Sequence, residues 1–254
     1  MIRPFLIALQ FLTRLPVRLS GNLEQRDLSR SLLYYPLVGL ILGAILAAAG
    51  WLLDPVSPLL GGALILALWV MLTGALHLDG LADSIDAWAG GRGEAARTLA
   101  IMKDPHSGPQ GVTGLVVVLL TKFATLVTLL AAGAWPLLVL PPLLGRTALP
   151  LLFVTTPYVR PGGLGSPLAQ GLPRGAAAWV IVGGYVLPPL LAGLSGLLAL
   201  IGSWAAFVYL RDRMKRRIGG TTGDTAGALV EITETLALIA LGLSVKVTAN
   251  SFIF

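Results

Sequence analysis

The sequence predicts an all-α fold, a polytopic bundle of about seven transmembrane helices with its N-terminus in the cytoplasm. Apolar residues make up 56% of the 254 residues and charged residues only 12%, whereas a typical soluble domain is about 25% charged. The mean hydropathy is +0.84, and apolar runs close to the length of a bilayer crossing recur along the chain. This composition excludes a disordered chain, and the lack of cysteine excludes a disulfide scaffold. We expect one membrane-embedded domain over residues 1–254.

Seven apolar segments account for the helix count. They cover residues 34–53, 59–77, 112–133, 135–156, 175–192, 193–210 and 228–249. The fifth and sixth come from one long apolar run, in which Pro188, Pro189 and Gly193 predict a break between two helices. The alternative is a single kinked helix, which leaves six spans and moves the C-terminus to the other side of the membrane.

The basic residues predict the orientation of the bundle. With a cytoplasmic N-terminus, the Lys and Arg residues outside the spans fall on the cytoplasmic side, as the positive-inside rule favours. The one basic residue toward the outside is Lys246, near the outer end of the last span. Six spans would place the basic run 211–217 outside. Seven spans predict cytoplasmic active-site loops at 78–111 and 211–227. Residues 1–30 begin with an apolar stretch that is too short to cross, so we expect an interfacial N-terminal segment.

Carboxylates are rare in this chain, and a first group of them follows the second span. Asp79, Asp83 and Asp86 share about 60° of a helix surface. Two such charges about 6 Å apart repel by roughly 3 kcal/mol at an effective dielectric near 20, so three on one face favour a bound cation, and all-oxygen ligands suit Mg²⁺. The alternative is a solvated acidic helix end. His77, just before them, is either an acid–base group or a hydrogen-bonded interface residue.

A further carboxylate, Asp104, follows Lys103 at the end of a short helical stretch. Its side chain can fold back to complete a metal shell. The alternative is an ordinary loop residue, since Pro105 comes next and favours a helix end there.

A second acidic group surrounds the segment Gly219-Gly-Thr-Thr-Gly-Asp-Thr-Ala-Gly-Ala228. Backbone N–H groups and hydroxyls suited to an anion at a helix N-terminus are supplied by Gly220, Thr221, Thr222 and Gly223. The segment is not a P-loop, because no Lys follows its last glycine in the required place. Asp224 is either a metal ligand or a helix N-cap. Glu231 shares its face and lies within an apolar helix, where a carboxylate favours a functional site.

Basic residues occur in two further settings. The run 211–217 fits topology and lipid headgroups best, with a phosphate clamp as the alternative. Lys122 and Arg146 lie within apolar spans, where a central cation costs about 2.5–3.5 kcal/mol. Both are expected to face the interior, paired with carboxylates or with substrate phosphate. Nucleic-acid binding is not expected, because no soluble basic domain is present.

Together these blocks resemble the cobalamin synthase family, the adenosylcobinamide-GDP ribazoletransferases. The resemblance rests on His77-Leu-Asp-Gly-Leu-Ala-Asp-Ser-Ile-Asp86, on Ile101-Met-Lys-Asp104, and on residues 219–228 with Glu231. It extends to residues 11–17, Lys122 and Arg146. This sequence departs from the family pattern at Ala87, where the family usually has glycine, and at Pro105-His106, where it typically has Ser-Arg.

The resemblance implies a Mg²⁺-dependent enzyme that joins adenosylcobinamide-GDP to α-ribazole, or to its 5′-phosphate, and releases GMP. It implies metal ligation by Asp79, Asp83, Asp104 and Asp224, with Asp86 as a further ligand or base. The substrate-binding set that it implies is His77, Lys103, Lys122, Arg146, Gly220, Thr221, Thr222, Gly223 and Glu231. It also implies a prokaryotic cytoplasmic (inner) membrane, and the distribution of basic residues predicts an active site that faces the cytoplasm. A homo-oligomer is left open.

Two other functions fit clustered membrane carboxylates less well. A CDP-alcohol phosphotransferase of lipid synthesis has, by resemblance, an Ala-Arg pair after its first Asp-Gly, whereas Asp83 follows Ala82 here. A cation-coupled transporter predicts acidic residues near the bilayer midplane. The carboxylates of this chain are instead predicted in loops and at helix ends.

Overall fold

The computed structural model describes residues 2–19, 21–54, 56–160, 162–163, 165–169 and 171–250. Regular structure in this part of the chain is helical, which confirms the predicted all-α class. The α-helices, numbered α1 to α11 in chain order, are Ile2–Leu12, Gln25–Ser31, Tyr35–Leu52, Pro58–Thr73, Leu76–Gly90, Ala95–Ile101, Pro109–Ala131, Leu140–Thr155, Ser166–Ala169, Arg174–Ile218 and Gly223–Asn250. Two 3-10 helices, Leu32–Tyr34 and Trp135–Val139, lead into α3 and α8.

The long helix α10 is two helices joined by a tight hairpin. Its backbone leaves the helical region at Ala192 and Gly193, where Gly193 has φ 52° and ψ −126°. The rings of Tyr185 and Trp204 lie 5.6 Å apart across this break, whereas a straight helix would separate them by about 28 Å. The predicted break between two spans is therefore confirmed, because glycine tolerates the left-handed φ that the reversal requires.

The lengths of the helices agree with about seven crossings. Five helical stretches in the described part are long and apolar enough, namely Gln25–Leu52, Pro109–Ala131, Trp135–Thr155, Arg174–Ile218 and Gly223–Val245. The pair α4 and α5 passes the same test together and makes a sixth. Since the hairpin divides α10 in two, the seven predicted spans correspond to α3, α4, α7, α8, both halves of α10, and α11.

The outer surface of these helices is apolar, as expected for contact with lipid. Exposed side chains include Leu60 and Leu64 on α4, Val117 on α7, and Trp179 and Leu190 on α10. Water would be a poor solvent for such a continuous apolar surface. Together with the helix lengths, these faces show that the chain is a membrane protein.

The second predicted span, 59–77, ends earlier than expected. Helix α4 stops at Thr73, and α5 leaves it at 88°. The bend lies at Gly74 and Ala75, whose φ values are 60° and 57°. The Arg14 side chain packs directly against Gly74, and a β-carbon there would displace it. Helix α5 therefore does not continue the direction of α4.

The N-terminal segment packs beside the bundle. Helix α1 has 11 residues, about 16 Å, which is too short to cross a bilayer. Ala8 and Leu12 are fully buried in a core cluster with Leu32 and residues of α3 and α8. Arg3 pairs with Asp27 of α2 at 3.6 Å. The interfacial position expected for residues 1–30 stays a prediction, because the structure contains no bilayer.

Candidate active site

The three aspartates of α5 occupy one side of that helix, as the spacing predicted. Asp79 is exposed, while Asp83 and Asp86 are partly buried. Burial, followed by the nearby charges of Asp79, Asp224 and Asp86, raises the pKa of Asp83 to about 6, although Arg160 partly opposes this rise. The carboxylates of both acidic segments are thus close enough to repel one another.

Helix α11 crosses α5 at very short range and brings Asp224 to this acidic face. A methyl group added at Gly80 would lie 2.7 Å from the Asp224 carbonyl oxygen, and one added at Gly227 would lie 3.3 Å from the His77 Cα atom. A side chain at Gly80 would force the two backbones apart, and one at Gly227 would be tightly packed. The crossing therefore joins Asp79 and Asp83 to Asp224, which are 145 and 141 positions away in the sequence.

Arg160 lies at this acidic site, although the sequence identified it only as a marker of topology. Its Nη1 atom donates to Asp224 Oδ2 at 2.6 Å. The segment that carries it is fixed by two backbone hydrogen bonds, from Val159 N to Thr221 O at 2.9 Å and from Thr221 N to Pro157 O at 2.8 Å. No local sequence signal distinguishes Arg160 from other loop arginines.

Asp86 is held by the start of α7. Its Oδ2 atom accepts the N–H of Gly108 at 2.7 Å and its Oδ1 atom accepts the N–H of Gly111 at 2.8 Å. These are among the N–H groups that a helix N-terminus leaves without helical partners, and a carboxylate there also opposes the helix dipole favourably. This arrangement favours a positioning role for Asp86 over a role as metal ligand or base.

The loop with Lys103 and Asp104 lies on the surface, and both residues are exposed. Asp104 Oδ1 accepts the backbone N–H of His106 at 3.0 Å and contacts His106 Nδ1 at 2.7 Å. These hydrogen bonds hold the pKa of Asp104 below its ordinary value. The preceding residue, Met102, is buried and accepts a hydrogen bond from the Thr222 hydroxyl at 3.2 Å, which places the loop beside the glycine-rich segment.

The hydroxyls of that glycine-rich segment bond within the protein. Thr222 and Thr225 cap α11 reciprocally, since Thr225 N donates to Thr222 Oγ1 at 3.2 Å and Thr222 N donates to Thr225 Oγ1 at 2.9 Å. Thr221 Oγ1 lies 3.0 Å from Thr225 Oγ1, and both residues are fully buried. Gly220 is buried against Pro157, whereas Gly223 is exposed. Of the predicted anion-binding residues, Gly223 is thus the most accessible.

Lys122, Arg146 and Glu231 form a buried charge cluster with Glu234, beside the acidic site. Lys122 Nζ contacts Glu231 Oε2 at 2.6 Å and Glu234 Oε2 at 2.8 Å, and Arg146 Nη1 pairs with Glu234 Oε1. Arg146 Nη2 also lies 3.4 Å from His77 Nδ1. Each of these five residues is less than 5% exposed. Of the two partners expected for the buried cations, the structure provides the carboxylates.

This cluster bears on the predicted substrate contacts. His77, Lys122, Arg146 and Glu231 were expected to bind substrate, and the structure pairs them with protein groups instead. A phosphate would reach Lys122 or Arg146 only if the cluster opened. Their assignment to substrate binding stays a prediction.

The arginines of the run 211–217 bond to neighbouring segments. Arg217 donates to the Trp88 carbonyl oxygen at 2.6 Å, and its guanidinium lies over the Trp88 ring. Arg211 donates to the Thr155 carbonyl oxygen at 2.6 Å. These contacts attach the end of α10 to α5 and α8, so they support a structural role for Arg211 and Arg217.

The acidic site opens onto a cavity of about 180 Å³. Asp79, Gly80, Gly223 and Asp224 line one part of it, and the rest is lined mostly by apolar side chains together with His77 and Tyr35. Within the described residues, no three His, Asp or Glu side chains surround one point closely enough to hold a metal ion as they stand. The four predicted metal ligands therefore do not form a preassembled shell.

These features define a helical membrane protein with an acidic site where α5 crosses α11, at the ends of its helices. The model of the family described as cobalamin-5-phosphate synthase matches residues 4–242. The chain belongs to this family, as the resemblance indicated.

Curated relatives support the same family over nearly the whole chain. The sequence is 57% identical over 242 residues to an adenosylcobinamide-GDP ribazoletransferase of Pseudomonas aeruginosa (strain UCBPP-PA14), covering 95% of this chain and 98% of the relative. It is 58% identical over 242 residues to the enzyme of that name from Stutzerimonas stutzeri, with the same coverage, and 55% identical over 241 residues to that of Pseudomonas putida (strain W619), covering 95% and 99%. No solved structure matches. These relatives do not favour a CDP-alcohol phosphotransferase or a transporter.

Proposed function

We propose that this protein transfers the cobinamide phosphate of adenosylcobinamide-GDP to α-ribazole, or to α-ribazole 5′-phosphate, with release of GMP. A ribose hydroxyl oxygen forms the new bond to the phosphorus that carries cobinamide. The bond between that phosphorus and the bridging oxygen of the diphosphate breaks, and the hydroxyl loses its proton. The family and the names of the relatives support this activity.

The observation that carries the proposal is the convergence of Asp79, Asp83 and Asp224 at the crossing of α5 and α11. The charges of Asp79 and Asp224 raise the pKa of Asp83, so a cation bound between the three carboxylates would favour the ionised form of Asp83. Arg160 supplies one positive charge, to Asp224. One arginine does not balance three carboxylates, so the acidic site favours binding of a further cation.

Mg²⁺ fits the donor set, since hard carboxylate oxygens are the ligands it prefers and it is commonly bound by one or two carboxylates together with substrate phosphates. We propose Asp79, Asp83 and Asp224 as its ligands, with Asp104 added if its exposed loop turns inward. When bound, the ion would offset the charge that develops on the diphosphate oxygens. The side chains do not form its shell in advance, so we propose that substrate and metal assemble the site together.

The other residues of the site position the substrates. Asp86 fixes the start of α7 against α5, and the reciprocal bonds of Thr222 and Thr225 fix the start of α11. Arg160 can exchange its bond to Asp224 for one to a phosphate oxygen, because the pair is partly exposed. The backbone of Gly223 is exposed beside the same carboxylates, where it can contact a substrate. Phosphoryl transfer asks mainly for such positioning and charge neutralisation.

We further propose a prokaryotic cytoplasmic membrane as the location, with the site facing the cytoplasm. The family relatives are bacterial, and the positive-inside distribution supports the orientation. Adenosylcobinamide-GDP carries two phosphates, so a site facing the cytoplasm lets it bind without crossing the apolar core.

The test is a turnover assay on purified protein in detergent or liposomes. Adenosylcobinamide-GDP and α-ribazole 5′-phosphate are supplied, and GMP and the cobamide phosphate are measured. We expect the two products in equal amounts. Folded protein that forms neither product, or that instead joins CDP-diacylglycerol to an alcohol, would refute the proposal.

A further inference from the structure

A cavity beside the carboxylates has the features of a binding site for an aromatic group. Its wall includes Phe11 of α1, Tyr35 of α3, and Leu149 and Phe153 of α8. The rings of Phe11 and Tyr35 are stacked, with centroids 6.4 Å apart and planes at 22°. Flat ring faces and branched aliphatic side chains suit a planar aromatic ligand.

The buried hydroxyl of Tyr35 is a second feature that favours ligand binding in this cavity. The residue is 1% exposed, and its hydroxyl makes no hydrogen bond to the described residues, although Ser31 lies near it. The Ser31 hydroxyl itself donates to the Leu28 carbonyl oxygen at 2.7 Å. A buried hydroxyl without a partner costs about 1–3 kcal/mol, so a ligand with a hydrogen-bonding atom at this depth would be favoured.

The position of the cavity links this hydroxyl to the acidic site. Asp79 and Asp224 line the same cavity as Tyr35, so a ligand that contacts the tyrosine can present its other end to the carboxylates. A second cavity of about 370 Å³ shares Phe11, Tyr35, Leu76 and Leu168 with the first. A lipid chain would satisfy neither the hydroxyl nor the carboxylates.

The volume of the cavity determines which part of the two substrates it can hold. Pockets that enclose drug-sized molecules measure roughly 300–1,000 Å³, whereas the cavity at the carboxylates holds about 180 Å³. A fused two-ring base is small enough, and a corrin ring with its amide side chains is not. The acceptor substrate, α-ribazole or its 5′-phosphate, has a flat base at one end and ribose hydroxyls at the other. This order matches the cavity, which has aromatic residues at one end and carboxylates at the other.

The geometry points to this cavity as the site that holds the aromatic base of α-ribazole, with the Tyr35 hydroxyl bonding to it and the ribose directed to Asp79 and Asp224. This inference rests on the proposed function and specifies where its acceptor binds. The corrin portion of the other substrate then lies outside the cavity.

The test compares Tyr35→Phe with wild type and with Tyr34→Phe in detergent. Tyr34 is the matched control, because it packs edge-on against Phe5 and lines neither cavity. Titration calorimetry measures the affinity for unphosphorylated α-ribazole, and steady-state assays give KM for each substrate. Loss of one hydrogen bond predicts an affinity for α-ribazole about five- to tenfold weaker in Tyr35→Phe, with an equal rise in its KM. The KM for adenosylcobinamide-GDP stays unchanged, and the melting temperature without ligand does not fall, because the hydroxyl that is removed has no partner among the described residues.

Other results would overturn the inference. With active wild type, an unchanged α-ribazole affinity in Tyr35→Phe refutes the base site and leaves the proposed function intact. The same holds if both KM values rise together, or if Tyr34→Phe has an equal effect, because either result indicates a general structural role. A folded wild type without turnover refutes the proposed function itself, and the base site with it.

Discussion

Replacing Glu234 by Gln should destabilise this protein more than any substitution of an exposed carboxylate. Glu234 is fully buried and contacts both Lys122 and Arg146. The four charged groups of the cluster, which also includes Glu231, sum to zero. Glu234→Gln leaves two buried cations against one carboxylate, because a neutral amide cannot balance the second positive charge.

The size of the effect follows from the contact distances. At 2.8 Å between Lys122 Nζ and Glu234 Oε2, the attraction is roughly 6 kcal/mol at an effective dielectric near 20. Desolvation of both groups offsets part of it, and breaking a buried pair from one side typically costs about 3–5 kcal/mol. For a chain of this size, that corresponds to a melting temperature lower by about 6–20 °C.

The assay is thermal unfolding in detergent, followed by tryptophan fluorescence, with Glu94→Gln as the matched control because Glu94 is exposed. A double variant, Glu234→Leu with Arg146→Met, removes one charge of each sign and should recover much of the loss, since apolar replacements of buried pairs are often neutral or better. If Glu234→Gln melts within about one degree of wild type, the charge cluster does not stabilise the fold as argued.

Four further outcomes are expected. Asp86→Asn should lower the melting temperature, because an amide cannot accept both α7 N–H groups, while activity per folded molecule stays near wild type; complete inactivity of the folded variant would make Asp86 catalytic. Gly80→Ala should separate α5 from α11 and cut turnover at least tenfold, unlike Gly175→Ala, whose position is open; equal activities would refute the close crossing. Since the pKa of Asp83 is raised to about 6, protons should compete with Mg²⁺ below that pH, so the Mg²⁺ concentration for half-maximal rate should rise as pH falls; a constant value contradicts this. A Lys215→Cys variant should react with impermeant thiol reagents only from the cytoplasmic side, and labelling only from outside would overturn the seven-span topology.

Features that depend on local spacing were predictable from the sequence. The shared face of Asp79, Asp83 and Asp86 follows from helical periodicity alone. The hairpin in α10 follows from Pro188, Pro189 and Gly193, because proline disrupts a helix and glycine permits the reversal. The end of α4 at Thr73 was missed although Gly74 is a left-handed helix cap of the usual kind, whereas the left-handed Ala75 that completes the bend has no local sequence signature.

Features that depend on which helices meet were not predictable in the same way. Asp224 and Arg160 are 64 positions apart, and Lys122 and Glu234 are 112 positions apart. A buried cation in an apolar span indicates that some partner exists, but the choice of Glu234 is made by the packing of α7, α8 and α11. The bonds from Gly108 and Gly111 to Asp86 likewise depend on the approach of α7 to α5. The periodicity of the sequence shows which residues share one face of a helix. The packing of the helices determines which other residues that face contacts.

The most direct test of the central claim is Mg²⁺-dependent release of GMP by wild type and by Asp83→Asn, measured on equally folded samples. We expect wild type to release GMP from adenosylcobinamide-GDP only with α-ribazole 5′-phosphate and Mg²⁺ present, and to stop when EDTA is added. Asp83→Asn should bind adenosylcobinamide-GDP yet release GMP at less than about one hundredth of the wild-type rate, a loss of at least about 2.7 kcal/mol in transition-state stabilisation. Full activity in EDTA, or in Asp83→Asn, would contradict a metal-dependent transfer at the crossing of α5 and α11.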